Sequence, residues 1–531
     1  MSGGLSRRRF LRLVGATGAT ALLAPRRARA TALFDGGSAE IPTGATGEPT
    51  RVVVIGAGMA GLGAANALHN AGVEVIVLEG RDRLGGRTWT RDVGGVPVDV
   101  GGSWIHTATG NPMSTLADCA GVARIPNDIQ GQLNRLSAYD YDNATWLDLA
   151  DFGIPLLLTQ AFESALPDLR TELGSAASVE DAIQTFIASR PEAEDVLRLA
   201  DYGIRVIAEQ FESARSTDLS LAWYDNSAIE YDGLDAFPVG GYRRIVDYLA
   251  RGLDVRTGQL ATAVAYGPDG VTVTTETDVF EGSHAIVTTP LGVLKAGAIA
   301  FEPALPAEKA AAIASLGFGH FEKVALRYDD AFWRDAGRIN WLHLGPGGER
   351  AFPVFVDLTD SVGQPALVAL CSAAFAEGLL VESQDATIGR VRTLLDTMFG
   401  AGLPDPLDAF ATRWGNDPLT RGAYTYIALG ASPADFDTLA APVGGRLLFA
   451  GEHTTPTRYG YADGALDTGV REAKRLLGVA SVALPEPRTL PLAGAAARAL
   501  ALVAGVRGRA DAVASRPRAA RVRQGFGEDR R

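Results

Sequence analysis

Lysine is nearly absent from this chain. Among 49 basic residues only Lys295, Lys309, Lys323 and Lys474 are lysine, a preference for arginine wherever a generic positive charge suffices. Cysteine is scarcer still. Cys119 and Cys371 alone exclude a disulfide framework and a cysteine-based metal site; one bridge is possible, but two separate buried thiols are expected. The histidines His69, His284, His320 and His343 show no metal-ligand spacing, so no metal site is expected. No Ser-His-Asp motif context occurs, and the Gly-rich loop near the start of the body lacks the Lys-Ser/Thr of a phosphate-binding P-loop. There is no internal repeat. No stable membrane span is expected either: Leu13–Ala24 is too short, and the apolar run Leu490–Val506 carries Arg498 in its middle.

What remains is a globular composition, 47% hydrophobic and 21% charged over 531 residues, long enough for two to four domains or two large ones. The net charge of −13 conceals two basic ends. Residues 1–30 hold seven arginines and no acid, and residues 485–531 hold ten arginines against four acids, which leaves the body at −26. Such a body repels nucleic acid and attracts cations.

Residues 1–30 have the pattern of an export signal. Ser6-Arg7-Arg8-Arg9-Phe10-Leu11-Arg12 carries a twin arginine, a weakly apolar run follows, and Ala28-Arg29-Ala30 offers a small-x-small cleavage site. The expectation is transfer by the twin-arginine export machinery, which moves folded, cofactor-loaded proteins, and a periplasmic or extracellular location. Residues 31–49 read as a linker, and residues 485–531 as a basic Ala/Arg-rich tail.

The body opens on a nucleotide-binding unit. Arg51–Ile55 is a buried-strand run, Gly56-Ala57-Gly58-Met59-Ala60-Gly61 follows at once, Leu62–Asn70 has helical composition, and Val73–Leu78 is a second strand ending at Glu79. Gly56 permits the tight turn, Gly58 lets a pyrophosphate approach the backbone, and Gly61 lets helix and strand pack closely. The helix N-terminus offers N–H groups to the phosphates. Glu79 can accept from both ribose hydroxyls and would repel a 2′-phosphate, which favours NAD or FAD over NADP.

The run that continues from the acid, Glu79-Gly80-Arg81-Asp82-Arg83-Leu84-Gly85-Gly86-Arg87-Thr88, resembles that of the flavin-containing amine oxidase family. Further motifs recur in order to about Leu477. Val98–His106, Phe237-Pro238-Val239-Gly240-Gly241-Tyr242, Thr289–Lys295, Leu316-Gly317-Phe318-Gly319, Leu448–Thr454 and Tyr459–Ala465 are similar to segments of polyamine oxidases, two of them also to lysine-demethylase relatives. The resemblance implies a Rossmann-type α/β fold: an FAD-binding domain with an inserted α+β substrate-binding domain. It implies bound FAD touched by Gly56, Gly58, Met59, Ala60, Gly61, Glu79, Arg81, Gly86, Arg87, Gly102, Ser103, Trp104, Leu260, Trp414, Glu452, Tyr461 and Ala462. Covalently flavinylated relatives have Cys where this chain has Ala423, so the FAD is expected to be non-covalent.

A flavin carries its own redox chemistry, and the protein supplies position and electrostatics. The substrate amine must be neutral to react, so the site should be apolar and aromatic. By resemblance, Tyr424 and Tyr461 are the two walls of an aromatic cage, His106 lies near the catalytic tunnel, and His453 is structural. Lys323 lies in the alternating strand His320–Tyr328, on the face of Phe321 and Ala325. A lysine on an apolar face needs a task, and the resemblance implies one in the reaction of the reduced flavin with O2.

Three segments, 50–135, 232–295 and 440–480, are expected to build the FAD-binding domain. The helix-rich 136–231 and the mixed 296–439 are expected to build the substrate domain. The implied reaction oxidises a C–N bond of a polyamine by hydride transfer to flavin N5, yielding H2O2 and an imine that hydrolyses to aldehyde and amine. Glu209, Glu212 and Asp218 are candidate carboxylates for a cationic substrate, or else a solvated helix face. A monoamine or L-amino-acid oxidase, and a desaturase or isomerase on the same fold, are the alternatives. Oligomeric state is not legible.

Overall fold

A computed structural model describes residues 44–126, 137–225 and 231–482; the expected export signal and basic tail lie outside them. Five parallel strands form the central sheet, in the order Leu447–Phe449, His284–Val287, Arg51–Ile55, Glu74–Leu78, Asp254–Arg256. The unbroken apolar run of Arg51–Ile55 reflects cover on both faces. Val52 and Val54, with Val75 and Val77, pack under the helices Met59–Asn70 and Ala462–Leu477. Val53 and Ile55, with Ile76 and Leu78, pack against a second sheet built from Ala261–Gly267, Gly270–Thr275, Val279–Gly282 and Ala300–Glu302. The period of two in a strand thus feeds two cores from one sheet.

A seven-stranded sheet forms the other region, ordered Asp408–Ala411, Phe321–Arg327, Ala366–Ser372, Val354–Asp357, Asn340–Leu344, Ser137–Asp140, Thr145–Leu147. The two insertions meet there: Ser137–Asp140 pairs in parallel with Asn340–Leu344. Three helices, Leu149–Leu173, Val179–Ala188 and Glu194–Glu212, share a core behind it.

Some elements differ from the sequence expectation. The first helix begins at Met59, because Gly58 is an extended N-cap rather than part of a longer loop. The segment from 136 opens with strands instead of helix, since Ser137–Asp140 finds an edge to pair with. Strand Ala300–Glu302, helix Ala307–Ser315 and the run Ile427–Leu439 pack on the cofactor-side core, although 296–439 reads as substrate-side in sequence. Cys371 is buried and its thiol is pushed well upward by burial, whereas Cys119 is only half-buried; both are free.

Candidate functional site

The three glycines after the first strand do three different jobs. Gly56 sits at φ +105°, a left-handed conformation that β-carbons resist, and its N–H donates to the Leu78 carbonyl at 2.7 Å. A β-carbon on Gly61 would lie 1.9 Å from the Gly56 carbonyl oxygen, so helix and strand cross in contact. A β-carbon on Gly58 would meet nothing within 4 Å and would project into open space. That space is a cavity of about 690 Å3, lined by Gly58, Met59, Ala60, Glu79, Arg81 and Gly86 at one end. No side chain caps the helix that begins there.

Glu79 is buried, with Oε2 accepting from the Ala57 N–H and Oε1 from the Arg81 N–H, both at 2.9 Å. Each oxygen keeps a further lone pair for a ribose hydroxyl. Gly85 and Gly86, at φ +92° and +57°, close the opposite side of the cradle. Two buried donors on the cavity wall, Thr289 Oγ1 and Arg81 Nη2, have no hydrogen-bond partner in the protein. An anion-accepting helix end, a bared backbone and orphaned polar atoms fit a dinucleotide such as FAD.

Arg87 does something the sequence did not indicate. Its Nη1 donates to Glu452 Oε1 and to the Ala423 carbonyl, each at 2.8 Å. Glu452 also accepts from Thr425 Oγ1 and from the N–H groups of Thr425 and Gly460. Burial would raise this carboxyl, but Arg87 and the hydrogen bonds outweigh it and hold it below its usual value. The pair fastens the Gly-Gly-Arg loop to the segments carrying Tyr424 and Tyr461. His453 is buried beside it and is pushed down to about 4, chiefly by burial, which keeps it neutral.

Further along the cavity, Gly102, Ser103, Trp104, Leu260, Trp414, Tyr461 and Ala462 line the wall. Lys323 lies on the same strand face as Phe321 and Ala325, as the alternation predicted, while Val324 and Leu326 enter a separate core. Its buried Nζ donates to the Gly101 carbonyl at 2.5 Å and to Ser103 Oγ at 2.6 Å, and sits 5.2 Å from the Trp104 ring centre. The Ser103 hydroxyl in turn lies 2.8 Å from the Asp99 carbonyl, so it holds Lys323 as well as lining the cavity. Burial lowers Lys323 to about 8, opposed by Asp99, and burial raises Asp99 to about 7.

Tyr424 and Tyr461 line the same cavity from different segments. The Tyr424 hydroxyl donates to the Gln210 carbonyl at 2.7 Å, and its ring lies 6.1 Å from Phe321. The Arg458 guanidinium lies 3.9 Å from the Tyr461 ring centre. His106 meets Tyr461 edge to face at 5.3 Å and holds Asp235 through Nδ1 at 2.8 Å.

The three candidate substrate carboxylates part company. Glu212 lines the cavity and is buried. Glu209 is buried but is paired by Arg350, at 2.5 and 3.1 Å. Asp218 does not line the cavity. The sequence missed Glu163, from the middle of helix Leu149–Leu173, which lines the cavity with Thr159, Leu156 and Pro155. It also missed Asp99, Asp235 and the buried pair Arg458–Asp463 at 2.6 Å. Asp99 and Asp463 sit inside the recurring motifs and could have been found there, whereas nothing in the chain links Asp235 to His106. Among the described residues no group of side chains could hold a metal ion, and no helix is long and apolar enough to cross a membrane.

Comparison with known proteins agrees with this geometry. The profile of the flavin containing amine oxidoreductases matches residues 59–477, and that of the pyridine nucleotide-disulphide oxidoreductases matches residues 7–96. A polyamine oxidase 4 of Oryza sativa subsp. japonica is 33% identical over 452 residues, covering 81% of this chain and 90% of that protein. A lysine-specific histone demethylase 1 homolog 2 of Arabidopsis thaliana is 34% identical over 448 residues, 81% of this chain. The chain spans only 59% of that protein, and between 53% and 57% of six further plant relatives, five of them lysine-specific histone demethylase homologs. Among solved structures, a wild-type putrescine oxidase bound to putrescine shares the fold with a TM-score of 0.67 at 24% identity, over 81% of this chain and 99% of that one. By the extent of these matches, the chain belongs to the family of flavin-containing amine oxidoreductases.

Proposed function

We propose that this protein is an FAD-dependent oxidase that opens a C–N bond of a polyamine, reduces O2 to H2O2 and releases an aldehyde and an amine. The observation that carries the reading is one continuous cavity lined by three chemistries: a dinucleotide cradle at Gly58 and Glu79, an aromatic pair at Tyr424 and Tyr461 with buried Lys323, and carboxylates at Glu163 and Glu212. Bound FAD would accept a hydride equivalent from the carbon next to nitrogen and give its electrons to O2. The protein's own groups do the rest. Tyr424, Tyr461 and Phe321 keep water off the reacting nitrogen, which favours its neutral form. Glu212 and Glu163 attract a second, distal ammonium and fix the chain's register. The Lys323 amine, loosely protonated near neutrality, places a positive charge or a proton donor at the cavity wall.

A match that extends over 90% of a polyamine oxidase supports a small amine over a peptide substrate. The acidic body suits a cationic substrate as well. A monoamine or L-amino-acid oxidase is less well supported, because carboxylates line the same cavity. We also place the mature protein outside the cytoplasm, on the twin-arginine signature of residues 1–30; fractionation of cells with Arg7, Arg8 and Arg9 changed to Lys should trap it inside. The deciding assay is peroxide release with spermine, spermidine, putrescine, tyramine, phenylethylamine, L-amino acids and a methyl-lysine peptide. Peroxide with the polyamines is expected. Peroxide from none of these amines overturns the oxidase reading, and preference for the peptide overturns the polyamine one.

A further inference from the structure

Around Tyr461 lies a charged array that the proposed reaction has not yet used. His106 Nδ1 is 2.8 Å from Asp235 Oδ2, and the Thr107 N–H donates to Asp235 Oδ1 at 2.7 Å. The carboxylate is therefore fixed at both oxygens. Burial would raise it, but the charge and hydrogen bond of His106, the Thr107 N–H and Arg458 outweigh burial and keep it below the usual carboxylate range. An ionised Asp235 can only accept, so the proton between them sits on His106 Nδ1. That leaves Nε2 with a lone pair. The imidazole lines the cavity, 35% of its side chain is accessible, and its edge contacts Tyr461.

Further charged groups surround this ring. Arg458 pairs with Asp463 at 2.6 Å, lies over Tyr461 and Tyr231, and also acts on Asp235. Two carboxylates, Asp235 and Asp463, thus share one guanidinium. With His106 neutral the four groups carry one uncompensated negative charge; with His106 protonated they balance. Of the groups that also face the array, Asp467 adds to its negative charge as pH rises and the two tyrosines do not. Tyr242 is pushed well upward by burial and stays neutral, Tyr231 is raised mainly by burial, and Asp467 is raised to about 7, chiefly by burial and then by Asp463.

We propose that Asp235 is a positioning residue that makes His106 the acceptor of the proton that the substrate ammonium loses on binding. The balance is simple: R2NH2+ gives one proton to Nε2, leaving R2NH with its lone pair at Tyr461 and an imidazolium whose Nδ1–H remains on Asp235. No oxidant enters this step. The proposal rests on the amine-oxidase reading for its substrate, but the dyad itself can be examined without turnover.

The test uses FAD-loaded protein labelled with 15N-histidine, whose long-range proton–nitrogen correlations report which ring nitrogen of His106 is protonated. Wild type should show protonated Nδ1 and bare Nε2 at high pH. Asp235→Asn should lower the proton affinity of His106 at least tenfold, and Asp235→Glu should restore part of it. With an oxidised amine, the acid limb of kcat/KM should move to lower pH in Asp235→Asn by the same factor, with flavin absorbance retained. A protonated Nε2 in wild type, or an unchanged His106 titration in Asp235→Asn, overturns the proposal. If Asp235→Asn fails to fold, the wild-type tautomer still decides it. If no amine is oxidised, the oxidase reading fails while the nitrogen spectra still judge the dyad.

Discussion

Gly58 and Gly61 lie three residues apart, at the N-cap and in the first turn of one helix, and should fail in opposite ways when a methyl group is added. Gly58 has φ −81° and ψ −174°, open to any residue, and its β-carbon position touches no protein atom. Alanine there costs the apoprotein about 1 kcal/mol or less, the usual loss when an N-cap glycine is replaced. The methyl would instead stand between the backbone and the cofactor phosphates. Van der Waals contact holds an oxygen about 1 Å farther away than an N–H donor requires. Losing two charge-assisted hydrogen bonds amounts to about 3–6 kcal/mol, or about 10²–10⁴ in the FAD dissociation constant. At Gly61 the β-carbon falls 1.9 Å from the Gly56 carbonyl oxygen and 3.0 Å from Thr288 Oγ1. The clashing partners sit in the turn after the first strand and just past strand His284–Val287, both fixed by the central sheet, so the helix itself must move, at about 3 kcal/mol or more. Denaturant unfolding with and without added FAD, together with an FAD titration by flavin fluorescence, separates the two losses. Gly58→Ala should unfold like wild type without FAD and gain little from it; Gly61→Ala should be destabilised in both conditions. Wild-type FAD affinity in Gly58→Ala, or full stability in Gly61→Ala, would refute the assignment of cradle and crossing.

Lys323→Met should slow oxidation of the reduced enzyme by O2 by about tenfold or more while FAD stays bound, since it removes the buried amine from the cavity wall; unchanged oxygen kinetics in stopped flow would remove Lys323 from the reaction. The same variant tests a pH effect. Burial lowers Lys323 from 10.5 to about 8, so between these values the unfolded chain binds more protons and stability rises with pH, by about 3 kcal/mol across that window. Wild type minus Lys323→Met, measured by denaturant unfolding at pH 7.5 to 10.5, should show that rise, and a flat difference would contradict it. Glu212→Gln should raise KM for spermine about tenfold with little change for a monoamine, because only a substrate with a distal ammonium uses that carboxylate; equal effects on both would argue against the register. Ala423 offers no thiol to the flavin, so acid precipitation should leave the yellow colour in the supernatant; colour in the protein pellet would mean a covalent link elsewhere.

Much of this protein was legible in the chain because its signals are local. The strand–glycine–helix–strand–acid unit is contiguous, and Gly56 and Gly61 answer to backbone constraints within a few residues of themselves. Alternation in the strand Phe321–Arg327 likewise fixed which face carries Lys323, since a period of two leaves no choice once one neighbour is buried. The scarcity of lysine made that residue conspicuous. Partnerships across long sequence distances were decided only by the tertiary structure. Arg87 reads as a cofactor ligand in sequence, yet it lies against Glu452, which comes to it from the other end of the body. Glu209 and Glu212 look alike on one helix, but Arg350 neutralises one while the other faces the cavity, because residues three apart on a helix are not equivalent once a second element packs beside them. Asp235 could not be tied to His106 from the sequence at all, as 129 residues separate them. Local backbone geometry is written in neighbouring residues, so the sequence determined the nucleotide cradle and the strand face of Lys323. Charge pairing depends on which distant side chains share a low-dielectric space, and only folding brings those together.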